Sequence, residues 1–198
     1  MGVYLYDEAL LAKIKNWTES TNVHVYGPNE SRRLIEVMAD ENGDKPIQLP
    51  IISISRVGGY DIINSNKKPM TYDGLMYDAT IEKSIMLNAI PINVSYQIDV
   101  WTRYFKEADA YMRNLIFNII NFPMLKIIIP YNKDSRAIEH NASIRIITDV
   151  VDNSDDNRLS IGEFTRLSIG ISIDDAYLWD TRVRDNVSIT FEVDENDL

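Results

Sequence analysis

Two histidines, no cysteine and one acidic loop hold most of the reactive chemistry in this sequence. His24 lies in the strand-like stretch NVHVYGPNE, and His140 in IEHNAS, just ahead of a strand-like run. Neither has a ligand at a spacing such as HExxH, so both read as surface or hydrogen-bonded polar residues. A hydrolase that pairs His140 with an acidic neighbour is the enzymatic alternative. In DNSDDNRLSIGE, Asp152, Ser154, Asp156 and Glu163 fall at positions 1, 3, 5 and 12 of a calcium-loop register. Asp152, Asp156 and Glu163 are therefore the candidate cation ligands. However, Asn157 stands where the sharp turn of such a loop calls for glycine, and the flanks read as strands. The stretch reads more simply as a solvated loop. The pairs Asp155-Asp156 and Asp174-Asp175 are sequence neighbours, which point to opposite faces of a strand and so form a poor acid/base couple. Gly58-Gly59 lacks phosphate-loop spacing, and SIGEF and SIGIS are not the GxSxG elbow. This inventory predicts no catalytic residues, no cofactor and no enzyme activity.

The bulk properties narrow the classes further. A chain of 198 residues with 45% hydrophobic content can bury an ordinary core, and one domain over 1–198 is the expectation. Without cysteine there is no disulfide framework and no thiolate site. The first residues, MGVYLYDEALLAKIKNW, do not look like a secretory signal, and no apolar run approaches the ~18 residues of a membrane span. A reducing cytoplasm is the expected place of synthesis, and the Asn-x-Ser/Thr triplets at Asn16, Asn29, Asn93, Asn141 and Asn186 read as chance. The formal charge of −10 argues against sequence-specific nucleic-acid binding, though DNA could slide past such a surface without sticking.

The elements that must position these residues follow from hydrophobic period. Asp7–Trp17 reads as an amphipathic helix, with Asp7 and Glu8 favoured by the dipole in its first turn. RLIEVMAD reads as a strand that turns at Asn42-Gly43. In LPIISISRVGGYDI, Ile52, Ile54 and Arg56 share one face, and Gly58-Gly59 marks a bend. NSNKKPMTYDG reads as a long loop, and LMYDATIEKSIMLNAIP as a strand or hairpin arm. The clearest stretch is INVSYQIDVWTRYFKEADAYMRNLIFNII. Ile92, Val94, Tyr96, Ile98 and Val100 alternate on one strand face. Phe105, Ala108, Met112, Leu115, Ile116 and Ile119 then form a helical stripe, with Thr102 as N-cap and Phe122-Pro123 as stop. LKIIIP, SIRIITDVV (Ile144, Ile146, Thr148 and Val150 inward), FTRLSIGISID and VSITFEV read as further strands. The sum is an α+β fold: an antiparallel or mixed β-sheet with one main packing helix and a short N-terminal helix. Eleven tyrosines, many near element ends, suit a protein interface. Arg103 and Tyr104 at the strand–helix junction, with Tyr60, Tyr72 and Tyr77, are the candidate contact residues.

The unit YQIDVW, a short polar turn and the helix KEADAYMRNL resemble the tail terminator and tail completion proteins of tailed bacteriophages. LPIISISRVGG resembles the strand these proteins place before a variable loop, and FTRLSIGISIDDAYL their final sheet. The resemblance implies an α+β subunit of a ring, usually a hexamer, at the head-proximal end of the tail. It implies a virion location, with tail tube, sheath and head-connector proteins as partners and DNA only as passing cargo, and neither enzyme activity nor membrane contact. NSNKKPMTYDGLMYDATIEKSIMLNAIP has no counterpart in that pattern and reads as an arm, at about 60–91, toward a neighbouring subunit. The alternatives are another tail part (tube, sheath-associated or baseplate subunit) or a non-viral calcium- or ligand-binding β-rich domain.

Overall fold

Two strands of 20 residues form the spine: β5 (Lys83–Thr102) and β9 (Thr165–Arg184). They pair antiparallel from Ser84↔Arg184 to Thr102↔Thr165. The computed structural model describes residues 2–18, 22–31, 48–63, 72–78, 83–130, 137–154 and 164–184. The expected strand RLIEVMAD with its turn, residues 64–71 of the expected loop and the expected strand VSITFEV lie outside these residues. Around the spine stand β1 (His24–Tyr26), β2 (Ile51–Arg56), β3 (Asp61–Ile62), β4 (Tyr72–Asp78), β6 (Met124–Pro130), β7 (Ala137–Ile146) and β8 (Val151–Asp152). One sheet results, ordered β1-β2-β5-β9-β7-β6. On one edge of β5, strands β2, β3 and β4 follow one another along its length. Strand β8 adds to β9. All pairs are antiparallel except β1 with β2, so the sheet is mixed.

Two long helices, α1 (Tyr4–Thr18) and α2 (Phe105–Asn121), complete an α+β fold, and residues 28–31 are also helical. The sheet curves as a half-barrel, and α1 touches both ends of the strand path, β1 and β6. Ile92, Val94, Tyr96, Ile98 and Val100 of β5, with Leu167, Ile169, Ile171 and Ile173 of β9, are buried in the main core, as their alternation predicts. Ala108, Met112, Leu115 and Ile119 of α2 join them. The spine bends where Ile92↔Ala176 gives way to Val94↔Ile173, which leaves one extra residue on β9. Asp175 sits there in left-handed conformation (φ 60°), as a β-bulge requires. A second local constraint is Gly170, where an added Cβ would come within 2.8 Å of Thr148. The glycine lets Thr148 approach and accept the Gly170 N–H through its Oγ1 at 2.6 Å.

Several expectations need correction. The N-terminal helix begins at Tyr4, three residues earlier than its apolar spacing suggests; Asp7 is in its first turn, as expected, and is buried there. Its carboxylate accepts from the Tyr96 hydroxyl at 2.8 Å and pairs with the Arg56 guanidinium. The Tyr6 hydroxyl accepts from the Tyr177 N–H at 2.7 Å and donates to the Tyr177 carbonyl at 3.1 Å. These bonds tie α1 to β2, β5 and β9 at once. Burial and the Asp7 charge push the Tyr96 hydroxyl far above its ordinary pKa, so it stays a neutral donor. Thr102 is not the N-cap of α2. It ends β5, and its Oγ1 donates to the Tyr104 carbonyl at 2.8 Å while Tyr104 holds the cap position. Phe105 faces solvent instead of the helical stripe. Strand β7 starts at Ala137 and ends at Ile146, which leaves Thr148 beyond it and Val150 exposed. Its first half is polar and is held by pairing with β6, which its residues do not announce.

Asp7→Ala removes one member of a desolvated pair and strands Arg56 and Tyr96. It is expected to lower unfolding stability by about 3 kcal/mol, the low end for such a loss, because Arg56 keeps 29% side-chain exposure. The midpoint of urea unfolding checks this.

Candidate functional site

The strand–helix junction is rigid on its inner side and open on its outer side. Trp101, near the end of β5, is almost wholly buried and donates its indole N–H to the Ser53 hydroxyl at 2.9 Å. The Arg166 guanidinium lies 4.6 Å from the Trp101 ring centroid, and Phe164 packs on the same ring at 5.2 Å. Arg166 also reaches the Asp99 carboxylate at 3.2 Å, and Gln97 donates to it at 2.8 Å. The Ser168 hydroxyl donates to Asp99 as well, and accepts from the Asn153 amide at 2.8 Å. Asp99 is thus a buried charge with several donors, which is how a desolvated carboxylate is tolerated. Gln97 and Asp99, placed on the polar face of β5 by their alternation, form the underside of the junction. Ser168 and Asp99 have no histidine in this network, so it lacks the base of a nucleophilic triad.

On the outer side, the Tyr104 carbonyl accepts from Glu107 and Ala108 at 3.0 and 3.1 Å and starts α2 without a side-chain cap. Arg103 and Tyr104 are exposed beside it. They line an open groove of about 1180 Å³ together with His24, Leu49, Glu107 and Tyr111. The groove carries a cation, a carboxylate and aromatic edges together.

The other candidates lie elsewhere. Tyr60 is exposed just before β3, whose Asp61 pairs with Asn93. Nine residues of β5 separate Asn93 from Thr102, or roughly 30 Å at the rise of a strand. Tyr72 and Tyr77 lie on β4, which continues that side past β3. Arg103 and Tyr104 therefore form one region, and Tyr60, Tyr72 and Tyr77 occupy a distant one. Asp152 belongs to β8, where its carboxylate accepts the Ser154 N–H at 3.0 Å. Asp156 and Glu163 lie outside the described residues. Among the described residues, no group of three or more His, Asp or Glu side chains could hold a metal ion. His140 is a packing residue: it lies 5.4 Å from Tyr177 and 5.1 Å from Trp179 by ring centroids, with Nε2 at 2.7 Å from the Asp175 carbonyl.

One surface went unread in the sequence. Phe117, Ile120, Phe122 and Met124 are each more than half exposed around the corner from α2 into β6. The signal was present, since Phe117 and Ile120 fall off the buried stripe of Ala108, Met112, Leu115 and Ile119.

The double substitution Arg103→Glu with Tyr104→Ala alters exposed side chains alone. It is expected to shift unfolding stability by less than ~0.5 kcal/mol while weakening self-association. Sedimentation velocity across a concentration series reads the second effect. No protein-family model matches this chain, and no curated protein matches it.

Proposed function

We propose that this protein is a structural subunit of a bacteriophage tail, a tail terminator or neck protein. In this reading its copies form a ring, with six as the expected number. The ring caps the tail tube or sheath and joins the tail to the head connector. The observation that carries the reading is the way β4, β5 and β9 continue as a three-stranded extension. Residues 83–88 and 180–184 run on past Ala89 and Trp179, the last described core residues of β5 and β9 in that direction. A sheet extension of this kind has the form of an arm, the role expected for the stretch that matched nothing in the terminator pattern.

Three further features support the reading. A ring contact is heterologous and needs two different adhesive surfaces on each subunit. The junction groove and the α2–β6 corner lie apart from the arm and offer such surfaces. The buried polar groups Asp7, Asp99 and Ser168 are engaged in fold-holding bonds, as suits a non-enzymatic part. No helix among the described residues is long and apolar enough to cross a membrane. With a charge of −10, a ring of such subunits would let DNA pass as cargo without holding its phosphates.

Native mass spectrometry of the purified protein, alone and with tail tube subunits, tests the proposal. A closed oligomer of one defined size is the expected result. A strict monomer in both samples overturns it, and open helical polymers of the pure protein reassign it to a tube or sheath-like part.

A further inference from the structure

The sheet has two edge strands that match each other in length and direction. On one side β4 pairs with β5, and among the described residues no strand lies beyond it. On the other side β6 pairs with β7 and likewise ends the sheet. Each of these edge strands has seven residues. β5 runs antiparallel to both β4 and β9, and β7 runs antiparallel to both β9 and β6. Hence β4, β9 and β6 all point the same way. Met124 lies across Ser143 from Asp174, and Tyr72 lies across Ala89 from Trp179, so along β9 the β6 edge begins five residues before the β4 edge.

Natural sheets guard such edges with lysine, proline or a covering element. On β6 the guards stand at the ends or turn inward. The Lys13 ammonium donates to the Met124 carbonyl at 2.6 Å, and Pro130 closes the far end. Lys126 pairs with Glu139 of its own sheet at 2.5 Å. Among the described residues no strand pairs with the outer side of Leu125–Ile129, and α1 touches β6. Beside it the corner formed by Phe117, Ile120, Phe122 and Met124 exposes apolar surface on the order of 450 Å². A standard interface covers about 800 Å² on each partner. The corner therefore supplies roughly half of one face, and the adjoining β6 edge extends it.

We propose that the β4 edge of one copy adds in parallel to the β6 edge of the next, with the arm resting against the α2–β6 corner. This rests on the ring reading above and names its contact. The occupant is a second copy because both halves of the contact belong to this chain. They are opposite edges of one sheet, equal in length and alike in direction. Joining them with the same face outward repeats by rotation and is heterologous, the geometry that closes a ring. Pairing β6 with β6, or β4 with β4, would instead be antiparallel and end at a dimer.

The chain has no cysteine, so introduced thiols report on single positions. Lys126→Cys or Ile128→Cys is combined in turn with Gly74→Cys, Leu75→Cys and Met76→Cys, and each protein is oxidised and run on a non-reducing denaturing gel. Side chains alternate along a strand, so a covalent ladder is expected from Leu75→Cys or from the Gly74→Cys and Met76→Cys set, and not from both. Native mass spectra of the same samples report the ring. Rings with no ladder from any combination overturn the strand pairing and leave the ring reading standing. Dimers from Ile128→Cys alone assign a β6–β6 contact and overturn the proposal. Protein with no ring at any concentration overturns both.

Discussion

The antiparallel ladder between β5 and β9 is the constraint on which the rest of the molecule depends. It joins residues about 60 to 100 positions apart, and every other strand is added to one of its outer edges or to a strand already there. Both long helices take their positions from it. α2 follows β5 directly and packs its Ala108, Met112, Leu115 and Ile119 stripe into the hollow of the sheet. α1 is pinned by Asp7 to Tyr96 of β5 and by Tyr6 to Tyr177 of β9. The bulge at Asp175 bends the ladder close to where it leaves the helix-backed core. The ladder is the floor of the core as far as Ala89 and Trp179, just beyond the bulge, and past them the same strands run on beside β4.

That division explains what the sequence disclosed. From Ile92 to Trp101 one face of β5 meets the helices, so apolar and polar residues alternate and the strand could be read directly. LMYDATIEKSIMLNAIP, read as a strand or hairpin arm, is strand over Leu75–Asp78 and Lys83–Pro91. Asp7 does lie in the first turn of α1, as read, but its burial was not legible because its partners, Arg56 and Tyr96, lie 49 and 89 positions away. No local rule connects them. Phe105 was assigned to the buried stripe by spacing alone. It sits at the first turn of α2, beside the exposed Tyr104, where no strand covers it. His140 was placed just ahead of a strand, not in it, because the first half of β7 is held by backbone pairing with β6 and not by burial.

The candidate site was legible to a smaller degree. The junction residues Arg103 and Tyr104 drew notice because the period changes there, and they do border an open groove. The Gln97–Asp99 pair beneath them proved to be a buried polar lock on Trp101 through Arg166. A lock of this sort holds the junction still, which suits a surface that must present one shape to a partner. The α2–β6 corner was missed because the reading followed residues that form the stripe and passed over those left outside it. In the proposed ring, those leftover apolar side chains are as informative as the core.

The central claim is that a fixed β5–β9 spine carries contact surfaces at its arm and at its far edge. Hydrogen exchange on the free and the assembled protein tests it most directly. The amides of Val94–Trp101 and Leu167–Ile173 should exchange slowest in both states. Assembly should bring new protection to Tyr72–Asp78, to Leu125–Ile129 and to the end of α2. Fast exchange along the spine in the free protein, or an assembled state with no added protection at either edge, would contradict the account.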